Sequence, residues 1–176
     1  MKKQLFLLVM TLLPLMASAQ AGQATEKYEP VVNGHIAFLG IPLSETANGM
    51  KSKLVAKGFK VERVDRETNY IYLLGNVYGV PSQIEISPDY QGKITVRVYI
   101  KKSARLPQAK KTYNLFLSKM TETYGSGKYE TNDDGWKKYQ IDRSNGTVFV
   151  ELFNEDEMDG ASDFYLVAIC VTEKTY

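Results

Sequence analysis

The clearest pattern in the chain is a strict alternation of apolar and polar positions over residues 93–101. Four β-branched residues share one face and four polar or aromatic residues share the other: Ile94, Val96, Val98 and Ile100, against Thr95, Arg97, Tyr99 and Lys101. Because successive side chains of a strand point to opposite faces, this pattern predicts a β-strand with one buried and one open face. Antiparallel sheets commonly contain such strands.

Seven further segments have strand-like patterns. They cover residues 59–65, 70–77, 83–87, 128–131, 136–142, 147–153 and 163–172. In the second of them, Ile71 and Leu73 would share one face and Tyr72 would lie on the other. Turn residues separate the segments. Asn145-Gly146 is one example, because both residues tolerate the positive φ of a type I′ hairpin.

A first helix is predicted to begin after Ser44, whose hydroxyl can accept a hydrogen bond from an unpaired N–H of the first turn. Apolar residues then recur at intervals of three and four, which is typical of one buried helix face: Ala47, Met50 and Leu54. Gly58 would end the helix in the left-handed conformation. Phe59 would then fold back onto Leu54, as in a Schellman motif.

A second helix is predicted over residues 107–124. Pro107 suits the first helical position, because its missing N–H would be unpaired there in any case. Six residues make a continuous apolar stripe: Ala109, Tyr113, Phe116, Leu117, Met120 and Tyr124. Gly125 would end this helix.

A short apolar run with Ile36, Phe38 and Ile41, closed by Pro42, predicts a further strand before the first helix. The predicted order is thus one strand, a helix, four strands, a second helix and four more strands. This order indicates an α+β fold, with a mostly antiparallel sheet of about eight strands, both helices on one face and the other face open. Residues 34–103 and 104–176 would be tandem helix-plus-four-strand units of one compact domain. Asp65-Arg66 and Asp142-Arg143 are 77 residues apart (142 − 65), whereas the glycines that end the helices are 67 apart (125 − 58). The repeat is therefore one of architecture only.

A short motif surrounds the first helix. Phe38, Gly40-Ile41-Pro42 and Lys57-Gly58-Phe59 have the form F-x-G-I-P…K-G-F. This segment resembles the opening of a group of secreted Bacteroidetes proteins of unknown function. The resemblance implies the β-lactamase-inhibitor-protein-like fold, with tandem helix-plus-four-strand units. It implies no catalytic residue.

Residues 1–19 have the composition of a secretory signal peptide. A basic start is followed by an apolar run too short to span a membrane and by the small-residue site Ala17-Ser18-Ala19. Cleavage near Ala19 predicts a periplasmic or secreted protein with a flexible lead-in at residues 20–33, and no later segment has the length of a transmembrane helix. Removal of Lys2 and Lys3 leaves 20 basic residues (22 − 2) against 20 acidic ones. Nucleic acid is therefore not an expected partner.

Catalytic and metal-binding motifs are sparse. His35 is the only histidine, and Cys170 is the only cysteine; its apolar surroundings predict a buried, inert thiol. No phosphate loop, zinc spacing or nucleotide fingerprint occurs, so we expect no cofactor and no metal. The acidic stretch at residues 154–160 loosely resembles a calcium loop, but Leu166 stands where the final glutamate is needed. A solvated hairpin is the better interpretation.

Aromatic residues are the remaining signal, with twelve tyrosines in 176 residues. Tyr72, Arg97, Tyr99 and Trp136 are candidates for a binding site on the open face, since Tyr, Trp and Arg dominate interface hot spots. The alternative is an ordinary solvated face, because tyrosine favours strands in any case.

Three functional hypotheses follow from these observations. The first is a non-enzymatic binding or inhibitor-like module whose open face recognises a protein, peptide or glycan. The second is a small carboxylate-based hydrolase of the cell envelope. The third is an assembly partner that completes the edge of a sheet.

Overall fold

The structure is a computed structural model that describes residues 27–89, 91–100, 104–131, 137–154 and 164–174. Several predicted features lie outside the described residues: the signal peptide at residues 1–19, the lead-in as far as residue 26, Trp136, and residues 155–160 of the acidic stretch. The described part of the chain contains two helices, a large antiparallel sheet and a small three-stranded sheet. The predicted α+β class is therefore confirmed.

The elements follow one another in this order: β1 (Val31–Val32), β2 (His35–Phe38), β3 (Ile41–Pro42), α1 (Ala47–Ala56), β4 (Lys60–Val64), β5 (Ile71–Val77), β6 (Val80–Pro88), β7 (Ile94–Ile100), β8 (Ala104–Arg105), α2 (Leu106–Tyr124), β9 (Lys128–Thr131), β10 (Lys137–Arg143), β11 (Gly146–Asn154) and β12 (Phe164–Glu173).

The main sheet is built from two meanders that meet in the middle. Its strand order is β4-β5-β6-β7-β12-β11-β10-β9, and β8 pairs with β12. Every pair of neighbours is antiparallel. The meanders join where β7 pairs with β12, with Val98 opposite Ile169. Each helix therefore precedes four strands of one half, which is the predicted tandem arrangement.

The core lies on one face of this sheet. Residues on that face are almost fully buried and stand opposite one another across neighbouring strands: Leu73, Ile84, Val98, Ile169 and Val150. Both helices pack on this face, α1 over β4–β6 and α2 over β10–β12. Antiparallel pairing puts the apolar positions of all the central strands in register, and this produces the continuous apolar surface that the helices cover.

The first helix ends as the sequence predicts but begins differently. Gly58 has φ +92°, its N–H donates to Val55 O at 2.9 Å, and the N–H of Phe59 donates to Leu54 O at 3.1 Å. These two bonds define a Schellman motif. The predicted N-cap, Ser44, is wrong. The N-cap is Thr46, whose hydroxyl accepts from the backbone N–H of Gly49 at 3.1 Å.

The second helix matches its prediction closely. Pro107 lies in its first turn, and Gly125 ends it with φ +92°. Five of the six predicted stripe residues are buried: Ala109, Tyr113, Phe116, Met120 and Tyr124. The sixth, Leu117, is partly buried against the core.

Residues 31–42 form a small sheet of their own, where the sequence predicted a single strand after a flexible lead-in. Leu39 and Gly40 have φ of 49° and 73° and turn β2 into β3, and β1 lies within the lead-in. The small sheet packs on the same face of the main sheet as the two helices. The Tyr124 hydroxyl of α2 donates to Ala37 O, and the Ile36 side chain lies over Gly146 of β11.

Strand β6 is longer than the predicted segment 83–87. Tyr78 and Gly79 have φ of 52° and 82°, so a two-residue turn joins β5 directly to β6 at Val80. Positive φ at both central residues is the geometry of a type I′ turn. Tyrosine is an unusual residue there, and the sequence therefore did not indicate the turn.

Candidate functional site

The face of the main sheet opposite the helices, which we term the open face, carries the sequence-predicted residues that the structure describes. Tyr72 stands opposite Glu85, Glu85 opposite Arg97, and Arg97 opposite Cys170. Tyr99 lies two residues beyond Arg97 on β7, opposite Gln83 and Ala168. The structure thus places Tyr72, Arg97 and Tyr99 on one surface, while Trp136 lies outside the described residues.

Arg97 is held at the centre of this face by a buried carboxylate. Its Nη1 donates to Glu85 Oε1 at 2.9 Å and lies 3.4 Å from Ser87 Oγ. The Glu85 side chain is 11% exposed and that of Arg97 is 41% exposed. A buried carboxylate needs such a partner because desolvation without pairing is costly. One side of the guanidinium is therefore bound inside the face, and the rest of it reaches solvent.

The two tyrosines are in different environments. Burial raises the pKa of Tyr99 to about 12, so its hydroxyl stays protonated and can donate a hydrogen bond at neutral pH. Tyr72 lies under a cation: the guanidinium carbon of Arg63 is 4.1 Å from its ring centroid. One ring face of Tyr72 is thus already occupied by a cation–π contact, and Tyr72 stands two strands away from Arg97.

Further open-face residues escaped the sequence analysis. Phe149 stands opposite Cys170, and the Nζ atom of Lys138 lies 3.9 Å from the Phe149 ring centroid. Glu151 stands opposite Ala168, and burial raises the pKa of its carboxyl, while Lys138 and Arg97 act in the opposite direction. Phe149 and Glu151 alternate with the buried Val148 and Val150 of β11. Phe149 is itself apolar, so the period-two pattern is only partly visible there in the sequence.

Cys170 is on the open face and not in the core, which corrects the expectation of a fully buried thiol. Its neighbours in sequence, Ile169 and Val171, face the helices, whereas Cys170 is partly exposed beside Arg97. Burial raises the pKa of the thiol to about 11, and the charge of Arg97 only partly opposes this effect. The thiol is therefore almost entirely protonated at neutral pH, as an unreactive cysteine would be.

His35 lies on the helix side of the sheet. Its Nδ1 is 2.6 Å from Glu173 Oε1, on the same side as the small sheet. Cys170 points to the other face, so the only histidine and the only cysteine do not meet. Within the described ranges, no group of three or more His, Cys, Asp or Glu side chains is placed to hold a metal ion.

Neither of the two described helices is long and apolar enough to cross a membrane. The chain matches no protein-family model, no curated protein and no solved structure. The resemblance to the β-lactamase-inhibitor-protein-like fold therefore stays a prediction.

Proposed function

We propose that this protein is an exported, non-enzymatic binding or inhibitor-like module that recognises a protein partner through its open face. One observation carries the proposal: α1, α2 and the small sheet all pack on the same side of the main sheet. The opposite side presents Arg97, Tyr99 and Phe149 across its central strands.

The size of the open face supports a protein partner. Eight strands in series have seven spacings (8 − 1), which span about 34 Å at about 4.8 Å each. The seven residues of β7 extend over about 23 Å. The product is roughly 780 Å², close to the ~800 Å² that each partner buries in a standard protein–protein interface.

The chemistry of the face also supports a protein partner. Its charged groups largely have partners on the face: Arg97 pairs with Glu85, Lys138 pairs with Glu130 at 3.7 Å, and the Gln83 amide donates to Glu62 Oε2 at 2.6 Å. Paired charges lose less on desolvation than isolated ones. Aromatic rings and a half-exposed arginine are typical hot-spot residues. A nucleic acid would need an excess of cations, which the described residues of this face do not provide.

The hydrolase alternative has weak support among the described residues. The two most buried carboxylates of the open face are Glu85 on β6 and Glu151 on β11. Three strand spacings separate them, or about 14 Å between backbones. Glycosidase carboxyl groups lie about 5–9.5 Å apart, and Glu85 is already bound to Arg97.

The β4 edge of the main sheet gives little support to the edge-assembly alternative. Strand β4 forms one edge, and its register shifts between Val61 and Arg63, which is a β-bulge. Every residue of β4 is exposed, and Lys60, Glu62 and Arg63 are charged. Bulges and charged side chains are the means by which natural edge strands avoid pairing with other chains.

Site-specific photo-cross-linking tests the proposed surface. Benzoylphenylalanine placed at Tyr72 or Tyr99 should form a discrete cross-linked species in a bacterial cell-envelope extract. The same group at the exposed Val55 of α1 or Leu115 of α2 is the matched control and should not form it. Cross-links from the helix positions alone, or equally from all four, would refute the open face as the binding surface.

A second variant links the cross-link to affinity. Tyr99→Ala should weaken binding of the captured protein by more than about 1 kcal/mol if Tyr99 is a hot spot. Export is tested separately by mass spectrometry of the chain recovered from the periplasm or medium, where we expect a mature N-terminus at Gln20.

A further inference from the structure

A pocket on the helix side of the sheet is separate from the open face. It has a volume of about 470 Å³ and lies between α2 and strands β9–β11. Six described residues line it: Lys110, Tyr113, Asn114, Tyr129, Lys137 and Leu152. Small-molecule sites usually have volumes of about 300–1,000 Å³ and combine apolar walls with a few polar groups.

Tyr113 forms part of the pocket wall and has an unsatisfied hydroxyl. The residue is 4% exposed, and its hydroxyl oxygen has no hydrogen-bond partner. Buried hydroxyl groups are nearly always hydrogen-bonded, and an exception requires an explanation. Burial raises the pKa of Tyr113 to about 12, so the hydroxyl is a neutral donor at physiological pH. A ligand with an acceptor atom at this wall would satisfy it.

Two lysines approach the pocket from different elements, Lys110 from α2 and Lys137 from β10. Neither forms an ion pair within the described ranges, and the described lining includes no carboxylate. A smaller pocket of about 180 Å³ near Tyr78 is different. There Glu122 pairs with Lys27 at 3.8 Å and with Lys119 at 3.4 Å, so each lysine already has a carboxylate partner.

Tyr129 provides a ring surface beside the lysines. It is 63% exposed, although it lies on the helix side of the sheet. Its ring packs against that of Tyr139 in a T-shaped arrangement, with centroids 4.8 Å apart and an interplanar angle of 69°. Tyr139 is fixed in turn, because its hydroxyl accepts from the N–H of Gly127 at 2.7 Å. An exposed ring held in place this way is suited to stacking on a ligand.

We propose that this pocket binds a small organic acid in which a carboxylate is attached to a ring. Lys110 and Lys137 bind the carboxylate, Tyr129 stacks on the ring, and Leu152 contacts its apolar edge. The Tyr113 hydroxyl and the Asn114 amide hydrogen-bond to its polar atoms. The same chemistry occurs in a free aromatic acid and in the acidic sugar of a glycan.

The test is a titration of the purified chain followed by amide NMR shifts of the lining residues. The probes are 4-hydroxybenzoate for the aromatic source, glucuronate for the sugar source, the neutral 4-hydroxybenzyl alcohol and inorganic phosphate. We expect saturable shifts at Tyr129 and Lys137 with one of the two acids, and much weaker shifts with the alcohol and with phosphate.

Variants assign the interaction to the pocket. Lys110→Gln and Lys137→Gln should each weaken binding of the acid roughly three- to tenfold, because each removes a charge-assisted hydrogen bond. Lys111→Gln is the matched control, since it removes the same charge from the adjacent position outside the lining. Tyr113→Phe should weaken binding of the acid without lowering the melting temperature.

Three results would overturn the proposal. The first is the absence of saturable shifts in the lining residues with either acid. The second is equal binding of the neutral alcohol or of phosphate alone, since neither combines a carboxylate with a ring. The third is an equal loss of affinity in Lys111→Gln and Lys110→Gln, which would indicate a general charge effect.

Discussion

Replacing Gly75 with alanine tests how tightly the end of α1 packs on the main sheet. A Cβ atom built on Gly75 would lie 2.8 Å from Cε1 and 3.1 Å from Cγ of Phe59, and closer still to Cδ1. Phe59 is almost fully buried, and its N–H is bonded to Leu54 O in the helix stop. The backbone of Phe59 is therefore held by the helix stop, and burial leaves its ring little room to move away from an added methyl group.

The expected magnitude follows from two opposing effects. Overpacking a core costs about 1–3 kcal/mol, while the preference of a strand for alanine over glycine offsets only about 0.5–1 kcal/mol of it. We expect Gly75→Ala to lower the free energy of unfolding by about 1–2 kcal/mol. At about 2–4 °C per kcal/mol, the melting temperature should fall by roughly 2–8 °C.

Urea denaturation followed by far-UV circular dichroism measures this change. The midpoint should fall while the m-value stays the same, because the surface exposed on unfolding is unchanged. In a Phe59→Leu background, the smaller side chain leaves room for the added methyl group, so Gly75→Ala should cost less there. A neutral or stabilising Gly75→Ala, or an equal cost in both backgrounds, would refute this packing.

Three further tests, two of them on pairs of variants, have defined outcomes. Thr46→Ala should lower the free energy of unfolding by about 1 kcal/mol because it removes the N-cap, whereas Ser44→Ala should change it by less than about 0.5 kcal/mol. Equal effects of the two variants in thermal melts would contradict the N-cap assignment. In the same assay, Tyr113→Phe should raise the free energy of unfolding by up to about 1 kcal/mol, because it removes an unpaired buried hydroxyl. Tyr139→Phe should lower it by about as much, because it removes the hydrogen bond to Gly127. The rate of alkylation of Cys170 should rise with pH along a titration curve with a pKa of about 11, and a curve centred near the usual thiol pKa of about 8.5 would contradict the burial of the thiol. Because the folded protein keeps this proton to higher pH than the unfolded chain does, the free energy of unfolding should fall as the pH rises from about 8.5 to about 11.

The parts of the fold that were predicted correctly have strong local signals. The alternation over β7 and the apolar stripe of α2 each concern one element with a regular period. The helix stop at Gly58 depends on a residue type that is specific for left-handed backbone. The antiparallel class of the sheet and the side that the helices occupy follow from the strands with one continuously apolar face, of which β7 is the clearest. The order of the strands was not predicted.

The parts that were missed depend on unusual turns and on tertiary packing. Leu39 and Tyr78 adopt positive φ although their side chains disfavour it, so neither hairpin has a turn signature in the sequence. Ile36 and Phe38 were predicted to lie in one strand, but no local pattern reveals that this strand pairs with β1 and β3 and packs into the core.

The candidate site was predicted only in part, because some of its residues have a clear alternating pattern and others do not. Arg97 and Tyr99 stand out within the alternation of β7, and the structure places them on the face that the helices leave free. Phe149 and Cys170 lie within long apolar runs of β11 and β12, where both faces of the strand carry apolar residues and the period is obscured. Cross-strand register, which a single sequence does not reveal, brings these residues beside Arg97.

Protection of a thiol gives the most direct test of the open face as a binding surface. Cys170 is the only cysteine of the chain and lies on that face, and the double variant Cys170→Ala/Leu115→Cys moves the thiol to the outer side of α2. The alkylation rate of each protein is measured with and without a bacterial cell-envelope extract. We predict that the extract slows alkylation of Cys170 and leaves the thiol at position 115 unaffected. Slowing at position 115 with no change at Cys170 would contradict the account.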